Sequence, residues 1–317
     1  MLDLKIYDCS NSDERPKHRA ESLGPSENDI LRDLKKYQDF YNVKFVGSVN
    51  ECDVVLTNDV YPKNILDKNK PMVKRMDGIF WHKDSVERNK PLNEAAKQSD
   101  HVIFISEYSR NSYISLYGDD LRSHEVVLNN IDGTIFNLHQ HDPNYKFTLA
   151  ASASNWGRHE KRLASLIEFA AHFDGNIYLI GKCLTDLPDN VINFGYLNKQ
   201  KSIADILQHS DAFINLSYRD AAPKVVSQAL SCGLPVLYAN SGGVPELVKG
   251  YGIAIRDKDE LIFEDDTHCL DTDDILIAYE KFRLNYDDLR KKVIFCYERN
   301  YFETLSHYFN AMRRVYA

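Results

Sequence analysis

The stretch Ser217-Tyr218-Arg219-Asp220-Ala221-Ala222-Pro223-Lys224-Val225-Val226-Ser227-Gln228-Ala229-Leu230-Ser231-Cys232-Gly233-Leu234-Pro235-Val236-Leu237-Tyr238-Ala239-Asn240-Ser241-Gly242-Gly243-Val244-Pro245-Glu246-Leu247-Val248 decides how this chain is read. It spells strand end, polar loop, helix, glycine turn, strand, Gly-Gly loop and helix. Asp220 suits the cap of the first helix, and Pro223 suits its first turn. Gly233 suits the C-terminal turn. Gly242 and Gly243 follow the C-terminal end of a strand, where open α/β sheets take their ligands. The backbone N–H groups of two helix starts facing one crevice hold an anion well.

Working outward, the same alternation fills the chain. Short apolar runs recur at Leu4–Tyr7, Val43–Val46, Asp53–Leu56, Met72–Val73, Val102–Ile105 and Val126–Leu128. They resume at Phe147–Ala151, Ile177–Ile180, Val191–Phe194, Ala212–Leu216, Pro235–Tyr238 and Gly252–Ile255. Runs this apolar belong to strands buried on both faces of a parallel sheet. The gaps carry helical periods, such as Ile30, Leu31, Leu34 and Tyr37, or Leu163, Leu166, Ile167, Phe169 and Ala170. The polar segment Asn137–Asn144, with Pro143, reads as a linker between two such sets. Near the end, Asp273–Tyr297 and Phe302–Tyr316 read as helices with no strand after them. Phe302, Leu305, Phe309, Met312 and Tyr316 form one apolar face that must cover something already built.

The size fits this plan. At 317 residues the chain exceeds one ordinary domain and suits two of about 150 each. With 43% hydrophobic residues, disorder is excluded. The net charge of −8, from 39 basic and 47 acidic residues, argues against a nucleic-acid partner. The six cysteines, Cys9, Cys52, Cys183, Cys232, Cys269 and Cys296, form no CxxC pair and read as reduced, buried thiols. No apolar stretch reaches the ~18–20 residues of a membrane span. The first residues read as a strand rather than a leader, so the expected location is cytoplasmic. His82, His159 and the pair His139/His141 have no carboxylate or cysteine at ligand spacing, so no metal site is read.

At Gln228-Ala229-Leu230-Ser231-Cys232-Gly233-Leu234-Pro235-Val236 and Gly242-Gly243-Val244-Pro245-Glu246, the chain resembles the family-4 retaining glycosyltransferases of the GT-B fold, also called glycosyl transferases group 1. Their signature is E-x7-E, then A-x-A/S-C-G-x-P-V, then G-G-x-x-E. Here Asp220 stands for the first Glu and Gln228 for the second, with the spacing of eight kept. The resemblance implies that Asp220 holds donor-sugar hydroxyls and Gln228 the nucleoside ribose, the latter without charge assistance. It continues at Ser154-Asn155-Trp156-Gly157-Arg158-His159-Glu160-Lys161-Arg162-Leu163, where Lys161 and Arg158 correspond to the pair that neutralises the donor diphosphate. Val191–Leu197 resembles the strand and loop whose backbone meets the base, which places Leu197 at the cofactor-type site with Lys224, Gly242 and Gly243. Val127–Phe136 resembles N-G-V-D-x-x-x-F. In the first hundred residues only the pattern matches. Gly24, before a helix Asn28–Tyr37, corresponds to a glycine-rich phosphate loop. Asp77, after Lys74-Arg75-Met76, stands where relatives carry a sugar-contacting His.

Each residue also has a plainer reading. Asp220 alone is a helix cap. Gln228 is a solvated helix residue, and Arg158 and Lys161 are surface cations. Asp77 is a turn residue before Gly78, and Glu246 caps its own helix. Lys224 opposes the helix dipole and either serves a phosphate or an acidic group or is an unremarkable surface cation.

The expected fold is therefore α/β GT-B, with two doubly wound Rossmann-like domains facing a cleft. Residues 1–142 form the acceptor side and 143–300 the nucleotide-sugar side. A helix over 301–317 crosses back to the first domain. The resemblance implies transfer of a sugar, with retention and without metal or resident cofactor, from a UDP- or GDP-type donor to a glycan, lipid-linked or other hydroxyl acceptor. Catalytic roles fall to Asp220, Lys161, Arg158 and Asp77. The alternatives are a non-catalytic GT-B relative and a GT-B nucleotide-sugar epimerase. Peripheral membrane association and oligomeric state are left open.

Overall fold

Eleven of the twelve apolar runs fall on strands in the computed structural model, and Val126–Leu128 meets its strand only at Val126; the structure describes residues 4–9, 25–58, 60–61, 63–129, 131–138, 146–257, 269–297 and 301–317. The strands form two six-stranded sheets in which every pairing is parallel. Strands such as Val54–Thr57, Ala212–Asn215 and Val236–Ala239 are buried at all four positions. Burial on both faces is why alternation is missing from their sequences. By contacts, the chain divides into one unit of Met1–Leu128 with Phe302–Ala317, and a second of Asn129–Tyr301.

The first unit holds β1 (Leu4–Asp8), β2 (Val43–Phe45), β3 (Val54–Thr57), β4 (Met72–Met76), β5 (His101–Phe104) and β6 (His124–Val126), in the order β2-β1-β3-β4-β5-β6. Lateral neighbours in a parallel sheet share a face. Met76, Val102 and Phe104 point to the face covered by helices Asn89–Gln98 and Glu107–Tyr117, through Ala96 and Tyr113. Arg75, Ile103 and Glu125 point to the opposite face. There the helix Tyr301–Tyr316 lies, with Tyr308 Oη accepting from Arg75 Nε at 3.1 Å and Arg314 bound to Glu125 at 2.6 Å.

That helix buries Leu305, Tyr308, Phe309 and Met312 completely, while Phe302 and Tyr316 are about half exposed. The apolar face thus excludes two residues assigned to it from spacing. Phe302 instead packs edge-on against Tyr37, with ring centroids 5.1 Å apart. Asp273–Tyr297, read as one helix, is two: Thr272–Leu284 and Tyr286–Cys296. The break falls at Asn285, whose side-chain amide donates to the Lys281 carbonyl at 2.7 Å. An Asn that bonds its own backbone competes with the helix ladder.

The second unit holds β7 (Thr148–Asn155), β8 (Asn176–Lys182), β9 (Val191–Gly195), β10 (Ala212–Asn215), β11 (Val236–Ala239) and β12 (Gly252–Ile255). Their order is β12-β11-β10-β7-β8-β9. Counted within the unit, that is the 3-2-1-4-5-6 order of a doubly wound dinucleotide-binding sheet. Its core gathers Leu166, Phe169 and Ala170 of helix Leu163–Ala171 with Ile275, Ala278 and Phe282 of the helix after β12. Phe169 stacks on Phe173 at 5.3 Å, and Tyr279 meets both edge-on. Of the cysteines, Cys9, Cys52 and Cys232 are buried, Cys183 is half-buried, and Cys269 and Cys296 are exposed. Among the described residues no helix is long and apolar enough to cross a membrane.

Candidate functional site

In a sheet of this order, strand succession reverses between β7 and β10, and the crevice beyond their C-terminal ends is where ligands bind. Of the residues singled out from sequence, Lys161 and Asp220 meet there. Toward that end β7 is irregular: its register with β8 shifts between Ser152 and Asn155. Gly181 opposite has φ +130°, and a Cβ there would lie 1.7 Å from the Ala153 carbonyl oxygen. Trp156 then fixes the chain as it leaves the strand. Its N–H donates to Lys182 O at 2.9 Å and its buried indole Nε1 to Ile180 O at 3.0 Å. The Asn155 side chain caps Gly157 N–H at 2.9 Å. A 3-10 turn His159–Lys161 follows, and Arg162, at φ 52° and ψ 45°, redirects the chain into helix Leu163–Ala171.

From the other side, β10 runs into Ser217–Asp220. Tyr218 N–H donates to Glu160 O at 2.8 Å, which binds this loop to the 3-10 turn. Lys161 Nζ lies 2.7 Å from Asp220 Oδ2 and 3.5 Å from Ser217 Oγ, with the two charged side chains 12% and 25% exposed. An ammonium has three protons to donate. Among the described residues these two partners leave one of them over.

Asp220 is therefore not the helix cap. Helix Lys224–Ser231 begins four residues later with Pro223 at its cap position and no side-chain cap bond. Gly233, at φ +85°, ends that helix in the left-handed turn expected of it, donating to Leu230 O at 3.0 Å.

The two glycines of the Gly-Gly loop serve the neighbouring loop. Gly242 has φ +65°, and a Cβ on it would meet the Asp220 carbonyl oxygen at 2.4 Å. A Cβ on Gly243 would meet the Ala221 carbonyl oxygen at 1.8 Å. Gly243 N–H donates to Asp220 O at 2.9 Å, and Ser241 Oγ accepts from Arg219 N–H at 2.9 Å. The Gly243 N–H is thus committed to protein, and the following helix Val244–Val248 is five residues long. This loop buttresses Asp220.

The remaining candidates are dispersed. Arg158 is 56% exposed and pairs with Glu160. A pair that exposed is worth about 0.2–1 kcal/mol, so the guanidinium leaves it at little cost. Gln228 is buried at 7% exposure, unlike a solvated helix residue. It lies one helical turn beyond Lys224, on the same side of the helix. Leu197 follows β9, two strands from β7 in the sheet and so roughly 10 Å from it. In the first unit, Lys74 and Arg75 lie inside β4 rather than after it. Asp77 follows, one-third exposed and paired with the buried Arg75. Gly24 lies outside the described residues.

Sequence reasoning missed Arg162 and Asp257. Their side chains, 1% and 3% exposed, form a two-pronged ion pair at 2.6 and 3.0 Å. The Arg162 guanidinium also stacks 4.5 Å from the Tyr218 ring centroid and reaches Leu216 O at 3.5 Å. Nothing in the sequence pairs residues 95 apart, and Arg is not a residue that announces a left-handed turn.

Comparison with known proteins agrees with the topology. Residues 182–262 match the family described as glycosyl transferases group 1. A curated N-acetyl-alpha-D-glucosaminyl L-malate synthase of Bacillus anthracis is 33% identical over 54 residues, which is 17% of this chain and 14% of that protein. Among solved structures, Anabaena Alr3699/HepE, in complex with UDP, superposes with TM-score 0.69 at 14% identity over 99% of this chain and 100% of that one. A glycosyltransferase from Rickettsia africae gives TM-score 0.68 at 12% identity over 99% of each chain. The chain carries the resemblance to glycosyl transferases group 1 in its second unit, and its fold is that of the GT-B glycosyltransferases.

Proposed function

We propose that this protein is a retaining glycosyltransferase that moves a sugar from a nucleoside-diphosphate donor to a hydroxyl acceptor. The observation that carries the reading is the Lys161–Asp220 pair at the β7/β10 reversal. A cation for the leaving diphosphate and a carboxylate for sugar hydroxyls stand side by side where a nucleotide-binding sheet takes its ligand. The HepE structures are complexes with UDP, with UDP and glucose, and with UDP-glucose, which favours a UDP-type donor here.

In this reading the enzyme works by positioning and charge. Lys161, with Arg158 swung from Glu160, stabilises the negative charge growing on the leaving diphosphate, so no metal is required of the mechanism. Asp220 orients the sugar. The acceptor hydroxyl attacks from the face the diphosphate leaves, and a diphosphate oxygen takes its proton. Asp77, paired with Arg75, stands where relatives carry a sugar-contacting His. Six cysteines free of disulfides suit a reducing compartment, consistent with a cytoplasmic location.

The Asp220 and Gln228 replacements favour a second reading, a GT-B protein that binds nucleotide without transfer. A panel of UDP- and GDP-sugars with simple glycosides, followed by release of nucleoside diphosphate and by the anomeric NMR signal of the product, separates the two. Product of retained configuration, lost about a hundredfold in Lys161→Ala, supports transfer. Binding without turnover supports the second reading. Turnover of the sugar without acceptor points to an epimerase.

A further inference from the structure

The Arg162–Asp257 pair is buried, and neither residue belongs to the signature that suggested the function. It links the loop after β7 to the loop after β12, across the ends of β10 and β11. Breaking such a pair by removing one partner leaves an uncompensated buried charge, so the arrangement is held firmly. Three further contacts converge on the same turn. Arg162 N–H donates to His159 O at 2.9 Å, its guanidinium stacks on Tyr218, and Tyr218 N–H holds Glu160 O. Lys161 lies between these fixed points, with its neighbour on each side tied down. Its ammonium therefore reaches Asp220 and Ser217 from a backbone held by contacts on both sides.

We infer that Arg162 and Asp257 are positioning residues that aim Lys161 at the donor diphosphate. Their own charges cancel, so Arg162 supplies orientation and not phosphate contact. This rests on the reading of Lys161 as the diphosphate cation. A misplacement of about 1 Å in a charged group costs about a hundredfold where geometry matters. The effect belongs to the diphosphate and spares the nucleoside.

The test measures affinity of the full chain for UDP and for uridine, and for GDP and guanosine, by calorimetry and ligand-observed NMR. The main variant is the double Arg162→Gly/Asp257→Asn, which removes both buried charges together and gives the left-handed position the residue that suits it. Arg162→Lys keeps the charge and loses the fork. Lys161→Ala is the reference. The expected result is diphosphate affinity down about tenfold or more in all three variants, as for loss of a charge-assisted bond, with nucleoside affinity and circular dichroism unchanged. A double variant that binds the diphosphate like wild type, while Lys161→Ala does not, overturns the positioning role. Equal loss of nucleoside and diphosphate also overturns it, because that marks a merely structural part. Wild-type binding of neither diphosphate, or unchanged binding in Lys161→Ala, overturns the functional reading itself.

Discussion

Lys161 and Asp220 stand 59 residues apart in the chain and 2.7 Å apart in space. Each has been given a ligand of its own, yet each is the other's partner. In Asp220→Asn the ammonium loses its neutralising neighbour and offers its full charge to phosphate. Free nucleoside diphosphate should then bind severalfold more tightly while sugar transfer falls at least tenfold, by loss of a charged hydrogen bond to the sugar. Calorimetry beside a turnover assay reads both. Weaker diphosphate binding in that variant would refute the shared role.

Gly243→Ala sets a Cβ 1.8 Å from the Ala221 carbonyl oxygen. The Gly-Gly loop and the Asp220 loop must separate, which should cost about 1–3 kcal/mol of stability. Gly133 has open space around it and an ordinary φ, so Gly133→Ala serves as the neutral control. Thermal melts of the two variants should differ clearly, with the loss confined to Gly243→Ala.

Gln228 is buried on the helix that follows Asp220. Changing it to Glu gives a ribose hydroxyl a charged acceptor, a bond roughly twice as strong as the neutral one. Nucleoside-diphosphate affinity should rise severalfold in Gln228→Glu, and more for the nucleotide than for ribose-modified analogues. Unchanged affinity would remove Gln228 from the ribose site.

Glu125 anchors the last helix through Arg314 and faces His101 at 3.2 Å and His307 at 3.8 Å. Burial raises its pKa, but hydrogen bonds and charge from His101 and Arg314 outweigh that, so the carboxyl sits below its ordinary 4.5. A group with a depressed folded value contributes stability above the ordinary value and loses it as pH falls through the folded one. Wild type should therefore melt above Glu125→Gln near neutrality, and the gap should close as pH drops below 4.5. A gap that persists at pH 3 would place the anchor elsewhere.

The strands were legible because burial on both faces writes itself as apolar runs, as in Val54-Val55-Leu56. The helix break at Asn285 was not, since only the side-chain bond to Lys281 makes that Asn a terminator. At the site, the identity and register of Lys161 and Asp220 could be read, but not that they meet. The Gly242-Gly243 pair was legible as glycine, but not that backbone from a loop over twenty residues earlier packs where a Cβ would stand. Arg162 and Asp257 left no mark at all: their partnership exists only once β7 and β12 lie in one sheet.

The helix Tyr301–Tyr316 completes a unit whose other residues end at Leu128. During synthesis, the whole of residues 129–301 emerges between the two parts, a delay of roughly 10–35 s at ordinary ribosome speeds. For that interval the sheet face bearing Arg75 lacks Tyr308, Phe309 and Met312, and the nascent first unit carries a buried-type arginine in water. The second unit finishes while the first still waits. A chain stopped near residue 300 would leave open the sheet face that Tyr301–Tyr316 covers in the folded protein.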